Sequence, residues 1–177
     1  METTTQRRIL IAHPSAELYG SDRVALESAR ACAEAGWAVD VTLTDHGPLV
    51  GLLEEAGCRV SVQAAPVLRK SYLSPVGLLR FAVETLRCTP AMIRLLRRSR
   101  PDVVYVSTVT VPWWLVLARL GRKRVICHVH EAEDAVPKAI RVALAAPWCW
   151  LTGWSPTVRS AGTSWSRPYP GWPAGPR

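Results

Sequence analysis

The sequence predicts an α/β fold, a Rossmann-like parallel sheet with helices on both faces, followed by an irregular C-terminal tail. Short apolar runs alternate with segments of helical periodicity through the first 147 residues. The runs are apolar throughout, as is typical of parallel strands buried on both faces. Gly and Pro residues separate most of the segments. A chain of 177 residues has room for one such domain and is short for two.

The first half of the pattern predicts three strands and two helices. Residues 8–13 form the first apolar run, and residues 21–35 carry apolar side chains at helical spacing. Ser21 is a plausible N-cap of this helix, and Gly36 is a plausible residue just beyond its end. Further strands are predicted at residues 39–43 and 59–62, and a short helix with Pro in its first turn at residues 48–56.

The second half continues the alternation after an irregular stretch at residues 63–75. We predict two helical segments there, 76–87 and 90–99, because Pro90 lacks the amide hydrogen that a helix interior needs. The remaining predicted elements are strands at 103–107 and 124–129, a helix at 112–120 and a last helical segment at 137–146.

The chain is basic, with 22 Lys and Arg residues and a formal net charge of +8. Nearly all of the basic residues are arginine, which a GC-rich gene also produces. Because the arginines are scattered along the chain, a nucleic-acid interface is not expected. No apolar run approaches the ~18 residues that a membrane-spanning helix needs, so an integral membrane protein is not expected either.

The five cysteines are odd in number and widely spaced, with no CxxC pair and no Cys/His ligand spacing. We therefore expect no metal site. The apolar run after Arg8 is too short for the core of a signal peptide. These features predict a cytoplasmic protein with reduced cysteines.

The composition changes at residue 148. Residues 148–177 contain five of the eight tryptophans, no acidic residue and no visible period. This tail could be an interaction arm, a disordered extension or an out-of-frame translation product. Tryptophan has a single codon, and residues 148–157 read one base earlier permit the sequence LVLADRVVAN, a helix end followed by a strand. We therefore interpret residues 7–147 as an incomplete domain and favour a lost reading frame for the tail.

The loop after the first strand carries small and polar residues at the edge of the sheet where ligands bind in such folds. Gly20 and Ser21 stand at a helix start, where free backbone N–H groups suit a phosphate or a sugar hydroxyl. A tight turn with an N-cap explains them equally well. The loop does not match GxGxxG, which disfavours a dinucleotide site.

Three segments resemble one known family. They are GSDR at residues 20–23, PDVVYVS at 101–107 and VICHVHE at 125–131. Together, in this order and spacing, they resemble the N-terminal domain of family 4-like retaining glycosyltransferases. The resemblance covers about residues 7–147.

The resemblance implies one half of a GT-B fold, which has two Rossmann-like domains. In that family the N-terminal domain binds the acceptor, and the C-terminal domain binds a nucleotide-sugar as co-substrate, usually without a metal or other cofactor. It implies a hexosyltransferase-type enzyme that is incomplete here, so the isolated chain is expected to be inactive. The alternative is a non-enzymatic binding module that uses the Trp-rich tail.

The resemblance also implies site residues. The family's matching histidine lies near the reacting sugar, so His130 is the candidate catalytic residue and Glu131 a candidate acceptor ligand. Histidine suits this role because it donates or accepts a proton near neutral pH. A loop histidine bonded to backbone is the alternative. Two residues earlier, His128 is expected to be buried and structural.

The remaining candidates bind the acceptor. The loop after the third strand shapes the acceptor pocket in the family, and the charges of Arg69 and Lys70 would suit a phosphorylated or lipid-linked acceptor as well as a sugar. Tyr72 lies in the same loop, and Ser107 and Thr108 supply hydroxyls at the end of the fourth strand. A solvated loop and helix capping are the structural alternatives.

Residues 76–100 are both apolar and strongly basic. At ~100° per residue, four arginines of this segment would share one helix face. Peripheral contact with the inner face of an anionic membrane would explain the pattern. A solvated helix face explains it too. The four residues are Arg80, Arg87, Arg94 and Arg98.

Overall fold

The computed structural model describes residues 6–68, 72, 74–108 and 110–128. They belong to the first of two compact units of the chain, Met1–Glu131. Within these residues the elements are β1 (Arg8–Ala12), α1 (Gly20–Glu34), β2 (Ala38–Leu43), α2 (Pro48–Glu55), β3 (Arg59–Val62), α3 (Pro75–Ser99), β4 (Val103–Val106), α4 (Pro112–Leu120) and β5 (Arg124–Cys127). The predicted helix at 137–146 and the tail lie outside the described residues.

The strands form one parallel sheet in the order β3-β2-β1-β4-β5. Ile9 in the central strand β1 pairs with Val39 of β2 on one side and Val103 of β4 on the other. The strand order therefore reverses between β1 and β4. In open α/β sheets, ligands bind beyond the carboxyl ends of the strands at such a reversal. The predicted Rossmann-like fold is confirmed.

The sheet has a core on each face because successive side chains of a strand point to opposite sides. Ile9 and Ile11 pack in a cluster that includes residues of α1 and α2. Leu10 and Ala12 pack in a second cluster with Met92 of α3 and residues of α4. All four of these β1 side chains are buried. The central strand is thus covered on both faces, as its continuous apolar sequence predicts.

The edge strands are less buried than predicted. Every side chain of β3 and β5 is partly or fully exposed, and Ile126 is 51% exposed. Among the described residues, each of these strands pairs with a single neighbour. The expectation that His128 is buried is wrong for the same reason. His128 is exposed just after β5, and its Nδ1 lies 2.7 Å from the Tyr105 hydroxyl.

The ends of α1 differ in how well the sequence predicts them. Gly36 follows the helix with φ +81°, as expected of a residue just beyond a helix end. The N-cap is Tyr19 rather than Ser21, so that prediction is wrong. The reason lies in the third helical residue: Asp22 accepts a hydrogen bond from the Tyr19 amide at 2.9 Å and holds the first turn from inside.

α3 is a single helix, so the predicted break at Pro90 is wrong. Because Pro90 has no amide hydrogen, the Leu86 carbonyl lacks its helical hydrogen-bond donor. Both residues are exposed. Water can satisfy a carbonyl in that position. Buried side chains on both sides of the proline, including Cys88 and Met92, pack against the same core cluster and keep the helix continuous.

Candidate functional site

A buried chain of hydrogen bonds joins the ends of β1 and β4 to the start of α1. His13 follows β1 and Ser107 follows β4, at the point where the strand order reverses. His13 Nδ1 lies 2.5 Å from Ser107 Oγ, and His13 Nε2 lies 2.6 Å from Asp22 Oδ1. His13 is 3% exposed, Ser107 is 1% exposed and Asp22 is fully buried. We call them the His13–Asp22–Ser107 chain.

The carboxylate of Asp22 defines the hydrogen positions. An ionised carboxylate only accepts hydrogen bonds, so His13 Nε2 carries a hydrogen and donates it to Asp22. Nδ1 faces the Ser107 hydroxyl, whose Oγ also lies 3.2 Å from the Ala12 carbonyl oxygen, and the single hydroxyl hydrogen serves one of these two neighbours at a time. A buried charge is stable only when it is paired and hydrogen-bonded. The chain therefore holds the ends of two strands and a helix in one arrangement.

Asp22 also orders the loop between β1 and α1. Besides His13, it accepts hydrogen bonds from the Tyr19 amide at 2.9 Å, the Ser15 hydroxyl at 3.3 Å and the Ser21 hydroxyl at 3.4 Å. Each carboxylate oxygen thus has two donors. A loop that could otherwise move is attached along its length to one buried group.

The backbone at the start of α1 remains open to a ligand. The amide groups of Gly20 and Ser21 donate no hydrogen bond to the described part of the chain, as is usual for the first helical residues. Gly20 is exposed and Ser21 is half-buried. The positive end of the helix dipole adds to their preference for an electronegative ligand atom. The structure therefore places both predicted residues at the carboxyl edge of the sheet.

The two predicted hydroxyls after β4 are buried. Ser107 is part of the His13–Asp22–Ser107 chain. Thr108 is 4% exposed, and its Oγ1 lies 3.2 Å from both the hydroxyl and the amide nitrogen of Thr110. Both side chains thus shape the end of β4 from inside.

The neighbouring loop packs tightly on this edge. The Leu49 amide donates to the Ala16 carbonyl at 2.9 Å, and the Thr44 hydroxyl donates to the Pro14 carbonyl. A Cβ atom on Gly47 would lie 2.4 Å from the Ala16 carbonyl oxygen, so only glycine fits there. The β1–α1 and β2–α2 loops thus form one packed wall.

The loop after β3 reaches the same edge by another route. The Leu68 amide donates to the Thr110 carbonyl at 2.6 Å, which brings residues 63–68 against the loop after β4. Farther along, the Tyr72 hydroxyl donates to Glu84 of α3 at 2.7 Å, and its ring packs 5.4 Å from that of Phe81. Tyr72 therefore lies on α3, apart from the His13–Asp22–Ser107 chain. Arg69 and Lys70 lie outside the described residues.

A groove of about 640 Å³ runs between this loop and α3. Its walls are mostly apolar, with two arginines and the Tyr72–Glu84 pair among its polar groups. It is lined by Ala64, Tyr72, Leu79, Arg80, Val83, Glu84, Arg87 and Cys88.

Three of the described cysteines form the reactive thiolate less readily than a free cysteine does. Burial raises the pKa of the Cys32, Cys58 and Cys88 thiols above the ordinary 9.0, and the Glu84 carboxylate adds to the effect at Cys88. A thiol is nucleophilic only as its thiolate. No group of three His, Cys, Asp or Glu side chains placed to hold a metal ion occurs in the described residues.

His13 and Asp22 are not among the site residues predicted from the sequence, and the two main predicted residues, His130 and Glu131, lie outside the described residues. One signal was available. His13 directly follows the most apolar strand, and a polar side chain buried there needs a hydrogen-bond partner. Its partner Asp22 is the acidic residue of the GSDR segment.

The fold is a Rossmann-like α/β fold of the kind found in GT-B glycosyltransferases. The Glycosyl transferase 4-like domain matches residues 19–168, which is most of the chain and extends past the composition change at residue 148. The chain belongs to this family. A comparison with curated proteins gives no match.

Solved structures share the fold at low sequence identity. MurG of Acinetobacter baumannii superposes with a TM-score of 0.55 at 19% identity, over 79% of this chain and 39% of that one. The kitacinnamycin glycotransferase gives 0.54 at 16% identity, over 86% and 37%. HepE of Anabaena, in complex with UDP-glucose, gives 0.53 at 19% identity, over 78% and 34%. The chain thus spans less than half the length of each of these proteins.

Proposed function

We propose that this chain is the acceptor-binding half of a hexosyltransferase that uses a nucleotide-sugar donor. The supporting observation is the arrangement at the carboxyl ends of β1 and β4, where the strand order reverses. The buried His13–Asp22–Ser107 chain orders the start of α1, whose open amides lie at the carboxyl edge of the sheet. In a member of this family, that edge is where an acceptor would bind.

In the proposed reaction an acceptor hydroxyl replaces the nucleoside diphosphate at the anomeric carbon of the donor sugar. The amides of Gly20 and Ser21 would hold an oxygen of the acceptor, and His130 would hydrogen-bond the reacting sugar. Glu131, Arg69, Lys70 and Tyr72 would complete the acceptor side, with Ser107 and Thr108 supporting it from inside. Transfer requires the donor in near-attack geometry, so the isolated chain should be inactive without a donor-binding domain.

The acceptor in this proposal is a sugar or a lipid-linked molecule, and the reaction takes place at the cytoplasmic face of a membrane. The apolar groove with Arg80 and Arg87 supports this choice. An apolar chain would fit its walls, and an anionic group would pair with the arginines.

One matched pair of variants tests the role of the α1 amides. Tyr19 has an extended backbone (φ −71°, ψ 176°), which a following proline accepts, and Gly20 is the first helical residue, where proline is favoured. Gly20→Pro therefore removes one amide hydrogen and keeps the helix. Gly20→Ala is the control, because it keeps the amide and its Cβ meets nothing within 4 Å.

The measurement is binding of octyl glucoside below its micelle concentration, followed by saturation-transfer NMR. We expect Gly20→Pro to weaken binding about fivefold or more, which corresponds to one lost hydrogen bond of about 1 kcal/mol, and Gly20→Ala to bind like the unmodified chain. Equal binding by both variants would contradict the proposed contact. Rapid sugar transfer from UDP- or GDP-sugars by the isolated chain would contradict the half-enzyme proposal.

The tail carries a separate proposal. We infer that residues 148–177 are either read out of frame or form an independent segment. In the second case they would be a Trp-rich binding arm, and the chain would have a non-enzymatic role. Sequencing the gene across codons 140–155 tests this. An intact frame there, with the same codons in close relatives, would rule out the lost frame and leave the binding arm.

A further inference from the structure

The first half of α3 exposes an unusual amount of apolar surface. Five of the ten large hydrophobic side chains that are exposed in the described residues lie between Val76 and Leu86. Leu79 is 67% exposed and Leu86 is 74% exposed. Single exposed hydrophobic residues are normal, but a group of them on one element marks an interaction surface.

Helix geometry places most of these residues on one side. At ~100° per residue, Val76, Leu79, Val83 and Leu86 fall opposite the buried stripe of α3. Arg80 and Arg87 fall on the same outward side. We call these six residues the α3 outer face. The buried stripe on the other side consists of Gly77, Thr85, Cys88, Met92 and Ser99.

The charge of α3 is almost entirely positive. The helix has five arginines and one acidic residue, Glu84, which accepts a hydrogen bond from Tyr72. None of the five arginines forms an ion pair within the described residues. Beyond the apolar half, the outward side continues with Arg94, Arg97 and Arg98.

We propose that the α3 outer face lies on an anionic lipid bilayer. The aliphatic side chains would enter the boundary between headgroups and acyl chains, and the arginines would reach the lipid phosphates. A second copy of the chain fits less well, because the arginines of the two copies would then face each other. Single-stranded nucleic acid fits less well too, because the face has no aromatic side chain on which bases could stack.

The same residues line the groove. Leu79, Arg80, Val83 and Arg87 belong both to the α3 outer face and to the groove walls. A bilayer on this face would therefore present its lipids directly to the groove. This step rests on the proposed function, because it supplies the route by which a lipid-linked acceptor reaches the domain. None of the helices described here is long and apolar enough to cross a membrane.

Vesicle co-sedimentation of the full chain tests the proposal. The probes are vesicles of phosphatidylcholine alone and of phosphatidylcholine with one-third phosphatidylglycerol, with no sugar or nucleotide present. We expect at least about tenfold tighter binding to the anionic vesicles at low salt, and a loss of most of that difference at high salt.

Two pairs of variants locate the contact. Arg80→Ala with Arg87→Ala should weaken binding to the anionic vesicles about tenfold or more, whereas Arg119→Ala with Arg124→Ala removes the same charge elsewhere and should have little effect. Leu86→Ser should weaken binding severalfold, and Leu120→Ser is its control, because the two leucines are 74% and 75% exposed. Circular dichroism verifies that each variant is folded.

Equal binding to both kinds of vesicle would overturn the proposal, as would α3 variants that bind like their controls. Self-association that Leu86→Ser abolishes, without vesicle binding, would assign the face to a second copy instead. Because no transfer reaction is measured, these outcomes are independent of the proposed enzymatic function. Vesicle binding without octyl glucoside binding would support the membrane-binding surface and contradict the proposed acceptor site.

Discussion

Asp22→Asn offers the sharpest test of the His13–Asp22–Ser107 chain. The substitution keeps the shape of the side chain and replaces one accepting oxygen with an NH₂ donor. Both carboxylate oxygens receive hydrogen bonds, one from His13 at 2.6 Å and the other from the Tyr19 amide at 2.9 Å. In either orientation the new NH₂ group therefore faces another donor.

The expected loss follows from these contacts. A hydrogen bond to a charged group contributes about 1.5–3 kcal/mol, and loss of the bond to the Tyr19 amide costs about 1 kcal/mol as a helix cap. We expect Asp22→Asn to lower the free energy of unfolding by about 2–4 kcal/mol. For a chain of this length, each kcal/mol lowers Tm by about 2–4 °C.

Urea unfolding monitored by tryptophan fluorescence measures the change, with the buried Trp114 as a reporter in the core. Asp45→Asn is the matched control. Asp45 is exposed, and its carboxylate lies 2.8 Å from the hydroxyl of the neighbouring Thr44, which donates to the Pro14 carbonyl, so the loss on substitution should stay within about 0.5 kcal/mol. If Asp22→Asn is as stable as this control, with an unchanged denaturant slope, the His13–Asp22–Ser107 chain does not stabilise the carboxyl edge of the sheet.

Two further predictions concern packing and pH. Gly47→Ala should destabilise the domain by about 1–3 kcal/mol, because its Cβ would lie 2.4 Å from the Ala16 carbonyl oxygen. Gly51→Ala is the control in the same urea assay, because its Cβ would meet nothing within 4 Å. Equal stability of the two variants would contradict the tight packing of the wall. Burial raises the pKa of Cys32 and Cys58 above 9.0, so their contribution to stability is complete below pH 9 and is lost as the pH rises through the raised values. Thermal melts from pH 7 to 11 should therefore show a loss of Tm above pH 9 that is smaller in the Cys32→Ala/Cys58→Ala variant, and an identical loss in both proteins would contradict this assignment.

The sequence predicts the described elements well because they depend on local patterns. The apolar run of β1 reads directly as a strand buried on both faces, and Gly36 marks the end of α1 with its positive φ. The same local reasoning fails where tertiary packing decides. Pro90 would end an isolated helix, but the core cluster on α3 extends across it. The edge strands resemble central ones in sequence, and only the strand order shows which are exposed.

The candidate site is harder to predict because its main group joins residues that are distant in sequence. His13 and Ser107 are 94 residues apart and meet only because β4 pairs with β1. Periodicity contains no information about that pairing. The sequence does identify the α1 start through Gly20 and Ser21. It assigns the cap to Ser21, however, because serine is a common N-cap residue, whereas Tyr19 caps the helix only through the bond from its amide to Asp22.

The packed wall at the carboxyl edge has a consequence for the thermodynamics of binding. The β1–α1 loop is attached to Asp22, and the β2–α2 loop contacts it through Gly47 and the bond from Leu49 to Ala16. The conformational entropy of these loops is therefore lost when the domain folds and not when a ligand arrives. A ligand that binds there meets a preorganised surface.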